Sequence, residues 1–333
     1  MSRSASRSHA TATIAGPRRP PTNTYSAISA SENLELWKLK TKWPSKGPRS
    51  EALVKRNFRV HVDPKEYKDE KGDYRCVVKL EIMDKDGHEF DASGGLIGPW
   101  LVSTSAHNFM NVGGPNCVSR AVSVRAYIGY HLQGSSRGIR VQERFCTMFI
   151  VRQEWAKSKF TSSQDDRALV VLQHRFTEVK PALYKAPSLG KSDVLVVGYP
   201  SENTQQVYDS CKNCQQAGCM YVVKGEAELK VRKLLQYKLS TMPGNSGGPV
   251  FLDEMPRTVI ATHTGEASEA GFNCATPVDV NFIEAGKAAL KQHHSSPHRY
   301  MVMHQQAGTS TWVLFQPETG CSSYDPASRT SGR

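Results

Sequence analysis

Pro243-Gly244-Asn245-Ser246-Gly247-Gly248-Pro249-Val250-Phe251 crowds three glycines and two prolines around one serine, immediately before an apolar run. A packed strand gains nothing from this pattern, because each glycine costs conformational entropy and leaves no side chain to pack. A nucleophile on a sharp turn does need it. Its hydroxyl has to stand clear of the backbone while neighbouring N–H groups converge on one point to receive an oxyanion. The competing reading is a plain Gly-rich turn between two strands, and partners elsewhere in the chain decide between the two.

Outward from this loop, the chain from about Arg59 onward breaks into short β-type runs. They cover residues 74–83, 95–103, 122–130, 141–152, 168–173, 193–198, 220–223, 234–240, 249–252 and 259–263. Turn residues punctuate them, as in Asp84-Lys85-Asp86-Gly87, Gly113-Gly114-Pro115 and Gly134-Ser135-Ser136. Many short strands with almost no helical period predict an all-β sandwich or barrel. One helix is expected over residues 281–291, where Phe282, Ile283, Ala285, Ala289 and Leu290 form an apolar stripe at spacings of three and four. Gly286 inside it costs about 1 kcal/mol against alanine. Residues 299–303 and 311–316 could pair as a terminal hairpin around Gln306-Ala307-Gly308.

The bulk composition is that of a somewhat polar globular protein, with 22% charged and 38% hydrophobic residues. No apolar stretch approaches the roughly 20 residues that span a bilayer, so no membrane partner is expected. The net charge of +12 is concentrated, because residues 1–60 carry twelve Lys/Arg against three acids. With few large apolar residues, residues 1–50 read as disordered. A solvated leader explains this arm better than nucleic-acid binding, since no aromatic interleaving accompanies the charge. Without an apolar signal core the expected location is intracellular, with a mitochondrial presequence or leaderless secretion as the alternatives. Of eight cysteines, three cluster as Cys211-x2-Cys214-x4-Cys219. No fourth ligand stands at a metal-like spacing, so reduced thiols are expected ahead of a loop disulfide or a zinc site. No metal and no other cofactor is anticipated.

A serine hydroxyl is a weak nucleophile until a base takes its proton, so a functional Ser246 requires a histidine oriented by a carboxylate. His107 follows Gly95-Leu96-Ile97-Gly98-Pro99-Trp100-Leu101-Val102-Ser103-Thr104-Ser105-Ala106, an apolar strand that ends in small residues. Those small side chains let a neighbouring strand or substrate approach the imidazole. The acid should open a buried strand, and Asp166 does so ahead of Arg167-Ala168-Leu169-Val170-Val171-Leu172. Asp165 is the adjacent alternative, but alternation puts it on the face opposite Ala168 and Val170.

In the order His, Asp, Ser these segments resemble the chymotrypsin-fold serine peptidases, and within them the V8-type glutamyl endopeptidases. The resemblance runs from about Val78 to Leu290. It is carried by Gly95-Leu96-Ile97-Gly98 with Ser105-Ala106-His107, by Asp166-x-Ala168-Leu169, by Gly198-Tyr199-Pro200, by residues 236–251, and by Val259-Ile260-Ala261-Thr262-His263-Thr264-Gly265. It implies two antiparallel six-stranded β-barrels and a C-terminal helix, with His107, Asp166 and Ser246 in the cleft between the barrels. It also implies an oxyanion hole from the amides of Gly244 and Ser246, and protein or peptide substrates. The corresponding divisions are a basic arm (1–55), a first barrel (56–180), a second barrel with the helix (181–292) and a C-terminal extension (293–333).

The same resemblance places Thr241, His263 and Gly265 at the substrate-binding pocket, where V8-like enzymes read glutamate before the cut bond. A hydroxyl and an imidazole can hydrogen-bond an acidic or amide side chain, and an imidazolium would favour Glu. Glu266 beside them repels an acid and points instead to Gln or to broader specificity. A satisfied core histidine is the plain alternative for His263. Where trypsin-type enzymes commonly carry half-cystines, this chain has Asn108 and Met242. Asn245 also replaces the aspartate that pairs with a newly cut N-terminus, so the loop should need no activating cleavage. The expected activity is serine endopeptidase, with Glu or Gln preferred. The rival is a catalytically silent peptidase-fold binding or scaffold protein with a basic arm.

Overall fold

Strands dominate because the apolar runs are short, rich in Val, Ile and Leu, and cut by Gly, Pro and Asp before a helical period can establish itself. The computed structural model describes residues 34–38, 59–84, 87–114, 117–131, 141–152, 154–155, 158, 162–201, 219–231, 234–267 and 271–295, and the structural statements below concern these. The first group of strands comprises β1 (Leu34–Lys38), β2 (Val60–His61), β3 (Val77–Asp84), β4 (Glu89–Gly98), β5 (Leu101–Thr104), β6 (Met110–Gly114), β7 (Cys117–Ile128), β8 (Gln142–Arg152) and β9 (Ala168–Leu172). The second comprises β10 (Leu183–Tyr184), β11 (Gly190–Gly198), β12 (Tyr221–Leu229), β13 (Leu235–Tyr237), β14 (Pro249–Leu252), β15 (Met255–Glu266) and β16 (Asn273–Pro277). Two helices complete the order, the single turn α1 (Lys65–Lys68) and the longer α2 (Val280–Ser295).

Each group closes on itself. Strands β8, β9, β5, β4, β3 and β7 pair in that order, and a further β7–β8 pairing shuts the ring. Strands β15, β14, β11, β12, β13 and β16 do the same through β15–β16. These are two six-stranded antiparallel barrels, the expected all-β architecture. Closure removes the sheet edges and leaves each barrel an interior to fill with side chains. Strand β9 shows the consequence, since all five of its residues are buried. Truncating a leucine in such a place to alanine costs about 2–5 kcal/mol.

Four local expectations change. Residues 95–103 are not one strand. Gly98, Pro99 and Trp100 turn the chain, and Gly95 pairs back with Ser103 across the β4–β5 hairpin. Within the stretch expected to be disordered, Leu34–Lys38 is a strand paired antiparallel with β8, in register from Leu34 opposite Arg152 to Lys38 opposite Met148. Strand β2, assigned by position to the first barrel, pairs with β12 of the second. Helix α2, counted with the second barrel, lays Phe282, Ile283 and Leu290 on Ile97, Leu101, Met148, Ile150, Leu169 and Val171 of the first. There Gly286 has a packing role, since a Cβ on it would stand 2.3 Å from Leu169 Cδ1. The proposed terminal hairpin, the turn at residues 134–136, and Cys211 and Cys214 lie outside the described residues.

Candidate active site

Register brings the histidine and the acid together. Thr104 of β5 pairs with Ala168 of β9, so the residues just past one strand face those just before the other. His107 sits there in a single 3-10 turn, Ala106–Asn108, and Asp166 lies two residues ahead of β9. The Asp166 carboxylate accepts two hydrogen bonds from His107, one from the backbone N–H at 2.8 Å and one from Nδ1 at 2.6 Å. A carboxylate on Nδ1 holds the proton there and leaves Nε2 as the basic nitrogen. Asp166 is buried, whereas the imidazole is about a third exposed and open to a substrate. Asp165 turns elsewhere, accepting from Ser162 Oγ at 2.9 Å and facing Arg152 at 3.5 Å.

The serine loop is held from both barrels. Ser93 of β4 donates through Oγ to the Gly244 carbonyl (2.7 Å), and its N–H donates to the Ser246 carbonyl (2.9 Å). Asn108 Nδ2 adds a second bond to the Ser246 carbonyl at 3.1 Å, and Ser201 N–H donates to the Pro243 carbonyl at 2.6 Å. Three loop amides are spent on internal acceptors: Asn245 on Met242 O, Gly247 on His263 O and Gly248 on Asn245 O. The His263 carbonyl is shared, because Ser105 Oγ also donates to it at 2.8 Å. A residue two before His107 and a residue one after Ser246 therefore meet on a single acceptor. Gly244 has φ of +91°, and a Cβ there would stand 2.6 Å from both Ser201 N and Tyr199 O, so no other residue fits.

The three pocket candidates surround this loop. Thr241 lies two residues before Pro243 and is buried. His263, on β15, is bonded to the loop through both its N–H (to Gly248 O, 2.9 Å) and its carbonyl. Its Nδ1 meets the Tyr237 hydroxyl at 2.6 Å. Neither Thr241 Oγ1 nor His263 Nε2 has a partner among the described residues. Full burial, aided by the nearby charge of His107, pushes the His263 pKa down to about 3. The imidazolium expected to select glutamate is thus absent at ordinary pH: a desolvated ring with a hydroxyl partner stays neutral. Gly265, next to last in β15, has φ of +133°, and a Cβ on it would meet nothing within 4 Å, leaving that side open. The Glu266 side chain lies outside the described set.

Four residues escaped the sequence reading. Ser93, Thr104 and Asn108 form the brace, with Thr104 Oγ1 donating to Ser93 O and accepting from Asn108 Nδ2. Tyr237 gives His263 Nδ1 its side-chain hydrogen-bond partner. Small polar residues beside glycines (Ala92-Ser93-Gly94-Gly95) were the available signal for Ser93, and Tyr237 offered none.

Comparison with known proteins identifies the family and the fold. The profile of the trypsin family matches residues 65–284, two thirds of the chain. The chain belongs to that family, whose members are serine-type endopeptidases. Among solved structures, a Glu endopeptidase is similar with a TM-score of 0.57 at 17% identity, covering 72% of this chain and 100% of its own. The protease Anisep from Arthrobacter nicotinovorans reaches 0.51 at 14% identity, covering 69% of this chain and 98% of that one. HL collagenase reaches 0.51 at 16% identity, with coverages of 70% and 99%. At these identities the likeness is one of fold. No curated protein sequence matches the chain.

Proposed function

We propose that the chain hydrolyses peptide bonds through Ser246, His107 and Asp166. The observation that carries this reading is the pair of hydrogen bonds by which Asp166 grips His107, which leaves Nε2 as base. Ser246 Oγ attacks the substrate carbonyl while His107 Nε2 takes its proton. The amides of Gly244 and Ser246 receive the oxyanion, each such donor contributing a few kcal/mol. The imidazolium then protonates the leaving amine, and water repeats the sequence on the acyl-enzyme. Asp166 keeps the ring in the productive tautomer throughout.

For the residue before the cut, the neutral pocket favours Gln over Glu. Where the Tyr237 hydroxyl donates to Nδ1 (2.6 Å) rather than to the Cys274 carbonyl (3.4 Å), His263 Nε2 carries a proton for the side-chain carbonyl of a bound glutamine, and Thr241 Oγ1 can accept from its NH2. Both atoms otherwise stay buried without a bond, at a cost of about 1–3 kcal/mol each. A glutamate carboxylate would be desolvated with no cation to compensate it. Cleavage-site profiling on a peptide library tests this: cuts after Gln should be enriched above cuts after Glu, and enrichment of neither overturns the roles of Thr241 and His263.

A further inference from the structure

Away from the cleft, three metal-ligating side chains converge from distant parts of the chain. They are His61 on β2, His131 just past β7 and Cys219 just before β12, and one donor atom from each lies within 4.8 Å of the others. We propose that they bind a zinc ion, which joins β2, the end of β7 and the start of β12.

The donor set is that of zinc, two imidazoles and a thiolate, soft enough to exclude magnesium and calcium. In a tetrahedral zinc site the ligand atoms stand roughly 3.3–3.6 Å apart, given Zn–N near 2.0 Å and Zn–S near 2.3 Å. Cys219 Sγ lies 3.9 Å from His131 Nδ1, already close to that spacing. The widest separation closes by about 1.3 Å, within reach of small side-chain rotations. His61 Nε2 is buried and has no hydrogen-bond partner among the described residues, as a nitrogen awaiting a ligand would be. Cys219 is buried. Zinc displaces its proton, and where the ion takes His131 Nδ1 it replaces the Tyr67 hydroxyl now 3.0 Å from that atom. The remaining coordination position is left to a donor beyond these three. Spacing around the cysteine cluster conceals this set, because His131 lies 88 positions from Cys219.

The placement also suggests what the ion holds. Fixing Cys219 to His61 and His131 would tie the start of β12 to β2 and to the end of β7.

The test is metal content of the full chain, produced with zinc in the medium and freed of loose metal by gel filtration. About one zinc per chain is expected, falling at least about fivefold in Cys219→Ser, His131→Gln and His61→Gln. Replacement by cobalt(II) should give tetrahedral visible bands with a thiolate charge-transfer band, the latter missing in Cys219→Ser. Wild-type protein with less than about a tenth of an equivalent overturns the proposal, as does equal zinc in all three variants. Should the variants fail to fold, chelator-stripped wild type is titrated with cobalt(II). A thiolate band saturating at about one equivalent then supports the site, and its absence overturns it. None of these readouts depends on peptidase activity.

Discussion

The serine loop and the pocket beside it are built on opposite principles. In the loop, the carbonyls of Pro243, Gly244 and Ser246 each accept a hydrogen bond, from Ser201, Ser93 and Asn108 respectively. In the pocket, Thr241 Oγ1 and His263 Nε2 are buried and unpartnered among the described residues. Satisfied polar groups fix a geometry, while unsatisfied ones carry a cost that a ligand can remove. In the proposed mechanism the contrast divides the labour: one region would hold the reacting atoms still, and its neighbour would discriminate. It also accounts for Asn245 in place of an acid, since carbonyl bonds from β4 and Asn108 set the loop without a terminal amine.

The most damaging change to the rigid side should be Ser246→Ala, lowering turnover of a peptide substrate by at least about 10⁴-fold with the fold retained by circular dichroism. Asp166→Asn should come next, at roughly 10³–10⁴-fold in kcat, because an amide leaves His107 in the wrong tautomer. Asp165→Asn should stay within a fewfold of wild type, and a reversal of these two would exchange their roles. Gly244→Ala should lose about 10²–10³-fold, since the backbone must leave φ of +91° and the amide leaves the oxyanion position.

On the discriminating side, Tyr237→Phe should lower the Gln-over-Glu ratio of kcat/KM by roughly 10-fold while cutting kcat far less than Asp166→Asn does. The sign of the pH effect follows from the direction of the shift. The His263 pKa falls from 6.5 to about 3 on folding, so below pH 6.5 the unfolded chain binds a proton that the folded one refuses. This contribution to stability is complete above pH 6.5 and declines as pH drops toward 3. Denaturant unfolding of wild type should lose about 1–2 kcal/mol more than His263→Gln between pH 7 and pH 5. Smallest and farthest from the chemistry, Gly286→Leu should cost about 1–3 kcal/mol of stability by overfilling the α2–β9 contact, with activity kept at permissive temperature.

Much of this was legible in the residues. The serine loop announced itself because positive φ and close backbone approach admit only glycine, which leaves a local signature. The buried run after Asp166 marked the acid proposed here, strand length and turn spacing pointed to a sandwich or barrel, and the family resemblance supplied the two six-stranded barrels. What stayed hidden depended on contacts between distant segments. The brace from Ser93 requires knowing that β4 passes behind the loop. The neutrality of His263 follows from its burial, and an isolated His-Thr pair suggested the opposite charge. The β4–β5 hairpin was concealed by an apolar run continuous through Pro99, although that proline marked the turn.

The central claim is that Ser246 is an activated nucleophile in an assembled site. A fluorophosphonate probe applied to folded protein, with the adduct mapped by mass spectrometry, tests it most directly. Labelling should fall on Ser246 in wild type, be lost in Ser246→Ala and slow sharply in Asp166→Asn, while Asp165→Asn labels at nearly the wild-type rate. Folded wild type that carries no adduct on Ser246 would contradict the account and leave a silent peptidase-fold protein in its place.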